Sequence, residues 1–126
     1  MNTLTIIETH HTPNVMCDFE NGLIEISGKS LPDEAHDFYE PILQWVDNYA
    51  KKPLLKTIAN IHLAYFNTSS SKILLELFKK LAGIHDGTNI VEVNWYYLKD
   101  EDDMLEAGED YQAIVKIPFT FIETKE

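Results

Sequence analysis

A change of hydrophobic period in the middle of the 126-residue chain constrains the fold most strongly. Residues 54–66 are mostly apolar and are followed directly by a polar run, Asn67-Thr68-Ser69-Ser70-Ser71. Residues 90–98 read as a strand again, and between the two strands apolar residues recur at helical spacing: Ile73, Leu74, Leu77, Phe78 and Leu81. This alternation favours an α/β fold in which right-handed crossovers join parallel strands. We expect the strand over 54–66 to be central and buried on both faces.

The first third of the chain predicts three short strands and a helix. The strands lie at 4–7, 14–19 and 23–27, and Asn21-Gly22 suits a tight turn between the last two. A helix is predicted over about 33–51 from an apolar stripe, Phe38, Ile42, Trp45, Val46 and Tyr49. Pro41 leaves two alternatives: the regular helix begins near Glu40, or a longer helix is kinked at the proline.

The C-terminal part predicts a helix and a strand. Residues 100–111 are acidic, with Met104, Leu105 and Tyr111 as apolar positions, and residues 117–122 form the last strand. The predicted fold is therefore one α/β domain, residues 1–126, with a mixed β-sheet covered by about three α-helices. A STAS-like arrangement, as in bacterial anti-sigma-factor antagonists, fits this order. A ferredoxin-like fold leaves the additional opening strand and the third helix unexplained.

Charge and composition exclude several functions. Ten basic and 21 acidic residues give a formal net charge of −11, which disfavours nucleic acid and anionic membranes as partners. The sequence has no apolar stretch long enough to span a membrane and no signal peptide, so we expect a cytoplasmic protein. The single cysteine, Cys17, cannot form an intramolecular disulfide and is interpreted as an ordinary strand residue.

The hydroxyl run from Thr68 to Ser71 carries the chemistry, because it lies where a buried strand ends and an amphipathic helix begins. In open α/β sheets this edge is where ligands and partners usually bind. Backbone N–H groups and the positive end of the helix dipole would stabilise a phosphate there, and Lys72, four residues after Thr68, could add a counter-charge. Ser and Thr are also ordinary helix N-caps, so phosphorylation and simple capping both remain open from the local pattern.

Two runs in the sequence resemble a known family. Asn67-Thr68-Ser69-Ser70-Ser71-Lys72 resembles the Asn-Thr-Ser-Ser-any-Lys signature of the SiaC family of bacterial regulatory phosphoproteins. The run 102–111, followed by Ile117-Pro118-Phe119, is similar to the family's C-terminal pattern. Together with the helix ending in Trp45-Val46-Asp47 and the chain length, the resemblance covers nearly the whole sequence.

The resemblance implies a STAS-like domain that is phosphorylated on Thr68, with Ser69 as the alternative acceptor. It implies a dedicated Ser/Thr kinase with a histidine-kinase-type ATPase fold, a PP2C-type phosphatase, and an output protein, such as a diguanylate cyclase, that binds the unmodified form. We expect the phosphate and partner surface to comprise Asn67, Ser69, Ser70 and Lys72. Thr68 follows directly from the motif, whereas no residue in the sequence specifies a cyclase surface.

Other candidate sites give weaker signals. His10 and His11 would point to opposite faces of a strand, so no metal site and no cofactor are predicted. His62 is expected to be a core imidazole with a hydrogen-bond partner. The alternative functions are a small acid/base enzyme that uses His62, Glu76 and the hydroxyl run, and a constitutive adaptor in which that run only caps a helix.

The acidic segment 100–110 has two possible roles. It could recognise a basic partner, or it could be a solvated helix face whose first carboxylates favour the helix N-terminus. Gly108, within this segment, is expected to permit close helix packing, and Trp95, Tyr96 and Tyr97 to be core and edge-strand aromatics.

Overall fold

The computed structural model describes residues 2–125 and has the order of elements that the sequence predicts. The strands are β1 (Leu4–Ile6), β2 (Asn14–Asp18), β3 (Leu23–Ser30), β4 (Lys56–Phe66), β5 (Ile90–Leu98) and β6 (Phe119–Thr124). The helices are α1 (Ala35–Tyr49), α2 (Thr68–Ile84) and α3 (Asp102–Val115). The mixed α/β prediction is confirmed, and most boundaries differ from it by one to four residues.

The six strands form one sheet in chain order, β1 to β6. The first three pair antiparallel, whereas β3, β4, β5 and β6 pair parallel. Each parallel strand is added on the same side of its predecessor, and right-handed crossovers then place α1, α2 and α3 on the same face of the sheet. The result is a two-layer domain with one helix-covered face and one open face.

The open face corrects the prediction that the central strand is buried on both sides. In β4 the side chains of Thr57, Ala59, Ile61 and Leu63 are buried, whereas those between them are half-buried or exposed. His62 lies on the open face, exposed, with its ring stacked on Tyr96 at a centroid distance of 4.9 Å. The prediction of a core imidazole is therefore wrong, because none of the helices within residues 2–125 covers this side of β4.

An aromatic cluster forms the core between β5 and the helices. Trp95 is buried, packs against Phe78, Tyr111 and Phe119, and donates from its indole N–H to the Met104 carbonyl at 2.9 Å. A Cβ on Gly108 would lie 2.7 Å from the indole ring, so only glycine lets α3 approach this closely. The predicted packing role of Gly108 is confirmed, and so is the core position of Trp95.

The α1 helix contains Pro41 in its interior, so the longer of the two predicted helices is the one that forms. Its buried stripe includes Tyr39, while the neighbouring Phe38 is half-buried. At this end of the helix, the apolar stripe predicted from the sequence is therefore displaced by one residue from the stripe that is buried.

The β2–β3 hairpin turns through residues 19–22, which include the predicted Asn21-Gly22 pair. The Asp18 carboxylate accepts from the backbone N–H of Glu20 at 3.0 Å and from the Asn21 side-chain amide at 2.6 Å. Next to it, Cys17 is fully buried on the covered face, as expected for a strand residue. Burial raises the pKa of its thiol to about 12, so the reactive thiolate is disfavoured.

Candidate functional site

The hydroxyl run lies where β3 and β4 end and α2 begins. Ser30 and Phe66, the last residues of the two strands, are paired in the sheet, and the Asn67 N–H donates to the Ser30 carbonyl at 3.0 Å. This bond fixes the segment that connects β4 to α2 against the end of β3. The run is thus fixed at the carboxyl edge of the parallel strands, where the sequence predicts it.

Asn67 caps α2. Its side-chain oxygen accepts from the Ser70 N–H at 2.9 Å, and its side-chain amide donates to the Pro32 carbonyl at 3.4 Å. The cap satisfies one of the N–H groups that a helix start leaves without an intrahelical partner, and it makes Thr68 the first helical residue. No acidic side chain lies in the first turn, so the positive end of the helix dipole is not offset there.

The four consecutive hydroxyls have different environments. Thr68 and Ser69 are exposed, as is Lys72 one turn after Thr68. Ser71 is half-buried, and its hydroxyl donates to the Thr68 carbonyl at 2.6 Å. Ser70 is completely buried, which corrects its predicted place on the phosphate and partner surface.

Ser70 belongs to a buried relay of three hydroxyls, which we define as Tyr39, Ser30 and Ser70. The Ser70 hydroxyl donates to the Ser30 carbonyl at 3.2 Å. Its 2.8 Å contact with the Ser30 hydroxyl must then use the Ser30 proton, and the 2.6 Å contact between Ser30 and Tyr39 must use the phenol proton. Burial raises the pKa of Tyr39 to about 12, which keeps the phenol protonated as the first donor.

The first turn of α2 is also attached to α3. The Tyr111 hydroxyl donates to the Ser71 carbonyl at 2.8 Å, and burial holds the pKa of this phenol well above its usual range. The turn is therefore held by the Asn67 cap, by the relay and by Tyr111, while the side chains of Thr68 and Ser69 project into solvent. Such a segment presents a fixed hydroxyl group rather than a mobile loop.

Ser30 and Tyr39 are not marked by the sequence pattern, and Ser70 is buried rather than on the predicted surface. A signal for Ser70 was present: it lies four residues before Leu74 and seven before Leu77, which are both buried on α2. The buried stripe of the helix therefore extends to Ser70. No comparable periodic signal marks Ser30, because its role depends on where α1 and α2 cross the end of β3.

A groove runs from this turn between α2 and α3. It is lined mainly by apolar side chains with one charged group on each helix: Phe66, Lys72, Leu75, Ala107, Asp110 and Ile114. Asp102 and Asp103 lie exposed in the first turn of α3, where they favour its dipole, and Glu106, Glu109 and Asp110 are exposed further along. The surface beside the hydroxyl run is thus apolar and bordered by negative charge.

The side chains named for an acid/base enzyme are not assembled. Within residues 2–125 no hydrogen bond connects His62 or Glu76 to the hydroxyl run, and His62 lies on the open face. Across the same residues no group of three or more His, Cys, Asp and Glu side chains is placed to hold a metal ion. None of the described helices is both long and apolar enough to cross a membrane.

Fold and site together define a class of protein: an α/β fold that presents exposed hydroxyls on a capped helix start. A family model described as SiaC family regulatory phosphoprotein matches residues 6–124. The chain therefore belongs to the SiaC family of regulatory phosphoproteins.

The chain is similar in sequence and fold to several known proteins. An uncharacterized protein of Pseudomonas aeruginosa (strain UCBPP-PA14) is 25% identical over 119 residues, which are 94% of each chain. The crystal structure of apo-SiaC from Pseudomonas aeruginosa superposes with a TM-score of 0.88 at 25% identity, covering 97% of this chain and 99% of that one. SiaC in complex with diguanylate cyclase SiaD, which it activates, gives a TM-score of 0.89 at 24% identity over 96% and 99% of the two chains.

Proposed function

We propose that this chain is a non-enzymatic signalling switch in the cytoplasm whose state is set by reversible phosphorylation of Thr68. A Ser/Thr kinase with a histidine-kinase-type ATPase fold adds the phosphate, and a PP2C-type phosphatase removes it. The unmodified form binds and regulates an output protein of the diguanylate cyclase class. The observation that carries this proposal is the exposed Thr68 hydroxyl at the first position of α2 in a member of a regulatory phosphoprotein family.

The local geometry supports Thr68 as the acceptor. A phosphate at the start of α2 meets the positive end of the helix dipole and backbone N–H groups that can donate to its oxygens. Lys72, exposed one turn later, supplies a cation on the same helix. Ser69 is the second exposed hydroxyl in the run and stays the alternative acceptor, whereas the hydroxyl of Ser70 is inaccessible to a kinase.

The switch is electrostatic. Phosphorylation adds about −1.5 to −2 charges and three acceptor oxygens at a helix start that tolerates them, so the fold is kept. A partner that docks on the neighbouring surface would have to desolvate the phosphate beside the carboxylates of α3, such as Asp110. Each 1.4 kcal/mol of this cost weakens the complex about tenfold.

SiaC bound to diguanylate cyclase SiaD supports an output partner of that class for a chain of the same fold. The acid/base alternative is not supported by the geometry, since His62 lies on the open face and, within residues 2–125, Glu76 makes no hydrogen bond to the run. An adaptor without phosphorylation would need the run only for its cap, yet the cap is Asn67, and Thr68 and Ser69 are left exposed.

The test begins with the chain purified from its host. Trypsin cleavage after Lys56 and Lys72 releases residues 57–72, a single peptide that contains the whole hydroxyl run. We expect one phosphate on this peptide, located on Thr68 by fragmentation, and its loss in Thr68→Ala. Ser69→Ala is the matched control and should keep the modification. Phosphate confined to a residue outside the run, or undiminished in Thr68→Ala, would falsify the assignment.

The same preparations test the switch by calorimetric titration against the host's diguanylate cyclase. The phosphorylated form should bind at least several-fold more weakly than the unmodified form, with Thr68→Asp as a partial mimic. Circular dichroism and melting should be nearly unchanged, because the phosphate lies on the surface. Equal affinities, or affinity lost only through unfolding, would contradict the electrostatic switch.

A further inference from the structure

The relay of Tyr39, Ser30 and Ser70 lies directly beneath the hydroxyls that a kinase can reach. All three residues are fully buried, and the relay joins α1, the end of β3 and the first turn of α2. Every buried side-chain oxygen and nitrogen of the described residues has a partner, so the relay leaves no hydroxyl unsatisfied. We propose that these are positioning residues that direct phosphorylation to Thr68, an inference that rests on the proposed function.

Helical geometry determines the direction of each side chain in the first turn of α2. Successive side chains on an α-helix are rotated by about 100°, so a turn with one fixed side chain has all its side-chain directions fixed. Ser70 is pinned inward by bonds of 3.2 Å to the Ser30 carbonyl and 2.8 Å to its hydroxyl. Thr68 and Ser69 are thereby set at defined angles outside the protein. Without these two hydrogen bonds, the turn can rotate or unwind.

Helix ends fray unless other interactions hold them. The amides of Ser70 and Ser71 both donate to Asn67, to its side-chain oxygen at 2.9 Å and to its carbonyl at 3.0 Å. Breaking the relay leaves a buried hydroxyl without its partner, a cost that opening of the turn would relieve. The relay therefore stabilises the hydrogen-bonded first turn of α2, here called the closed turn, over an unwound one.

The consequence for modification is selection among similar acceptors. The run offers four consecutive hydroxyls, from Thr68 to Ser71, which a mobile segment would present to a kinase in turn. In the closed turn Ser70 is hidden and the Ser71 hydroxyl is engaged with the Thr68 carbonyl. The relay thus determines which hydroxyl receives the phosphate, and not only how stable the domain is.

Two variants break the relay at opposite ends. Ser70→Ala removes its last member, and Tyr39→Phe removes the phenol proton while keeping the ring in the core. Ser71→Ala is the matched control, because it removes a hydroxyl from the same turn that makes no bond to the relay. Hydrogen exchange followed by mass spectrometry reports on the first-turn amides, and the amides of β4 report on the rest of the fold.

We expect first-turn amides to exchange at least roughly fivefold faster in Ser70→Ala, which loses both bonds between Ser70 and Ser30. The increase should be smaller in Tyr39→Phe, which loses the Tyr39–Ser30 bond and keeps those two. Exchange in β4 should stay as in the wild-type chain. In chains purified from the host, Ser69 should gain a several-fold larger share of the phosphate on peptide 57–72, and in Tyr39→Phe some phosphate should reach Ser70. Ser71→Ala should keep the wild-type distribution. A purely structural role would lower stability without moving the phosphate.

The outcomes separate the inference from the proposed function. Phosphate on Thr68 in the wild-type chain, with the same distribution in both relay variants, would overturn the inference alone. Unchanged first-turn exchange in the variants would overturn it as well. Absence of phosphate from Thr68 in the wild-type chain would overturn the proposed function and the inference together. If Ser70→Ala does not fold, Tyr39→Phe decides the question.

Discussion

The two faces of the sheet differ in how they are stabilised. The covered face packs aromatic and aliphatic side chains around Trp95, Phe78 and Tyr111. The open face carries a polar row across β3, β4 and β5, in which Asn94 donates to Asn60 at 2.8 Å and Asn60 donates to Glu25 at 3.1 Å. One face thus depends on buried apolar area, and the other on side-chain hydrogen bonds that compete with water.

The difference teaches where the site can lie. A chain of parallel strands added in one direction has all its helices on one side, so each helix start meets the carboxyl edge of the sheet on that side. The hydroxyl run of α2 uses this edge and takes its support from the covered face, through Ser70 and Tyr111. The open-face row of Glu25, Asn60 and Asn94 is not among the residues whose hydrogen bonds hold this turn in the described part of the chain.

The largest expected effect comes from removing an aromatic ring on each face. Phe78→Ala should lower the free energy of unfolding by about 3–5 kcal/mol, because the cavity lies among three packed rings. Tyr96→Ala on the open face removes a half-buried ring that stacks on His62 and should cost less than about 1.5 kcal/mol. Urea unfolding of both variants measures the contrast. Similar losses would show that the two faces contribute equally.

Replacing two helical glycines by alanine should have a smaller effect on the free energy of unfolding. Gly108→Ala would place a methyl group 2.7 Å from the Trp95 ring and should cost about 1–3 kcal/mol, reduced by the better helix propensity of alanine. Gly83, on α2, has nothing within 4 Å of an added Cβ, so Gly83→Ala should stabilise by about 0.5–1 kcal/mol. Opposite signs in urea unfolding are the expected result. A neutral Gly108→Ala would mean that α3 can move away from the sheet without cost.

The sequence carried most of the fold because its periodicities are strong. The stripe from Leu74 to Leu81 and the alternation of Val91, Val93 and Trp95 locate α2 and β5, and the observed burial follows both. Whether helices cover one face of β4 or both could not be predicted in the same way. Its open-face position Ile58 is apolar, so residues 54–66 resemble a strand buried on both sides until the strand order is known.

The position of the hydroxyl run was predictable to the level of the turn, whereas the burial of each hydroxyl was not. A polar run between a strand and a helix marks the edge where Thr68 lies. Which of its hydroxyls turns inward depends on Ser30 and Tyr39, which are 40 and 31 positions from Ser70 in the sequence (70 − 30 and 70 − 39). Contacts of that separation follow from the packing of α1 and α2 on the sheet, and no local pattern encodes them.

The smallest expected effect concerns Cys17 and Asp18, adjacent residues on opposite faces of β2. The Asn21 amide, with the N–H groups of Glu20 and Asn21, holds the pKa of Asp18 below its ordinary 3.8. Its contribution to stability is present above pH 3.8 and is lost as pH falls through the folded-state pKa. Burial raises the pKa of Cys17 from 9.0 to about 12, so stability falls as pH rises above 9.0, where only the unfolded chain loses the proton.

Urea midpoints measured across pH should separate the two residues. Asp18→Asn should remove part of the loss of stability that occurs as pH falls. The rest should remain, because Asp86, whose carboxylate accepts from the Thr88 and Asn89 N–H groups, also has a lowered pKa. Cys17→Ala should flatten the alkaline limb between pH 9.0 and 10.0, before the buried phenols of Tyr39 and Tyr111 begin to contribute from their ordinary value of 10.0. If the urea midpoint of Cys17→Ala falls between pH 9.0 and 10.0 as steeply as that of the wild-type chain, the Cys17 thiol is not protected from ionisation by burial. Water would then reach β2 on the covered face, and the two faces of this strand would not differ in burial.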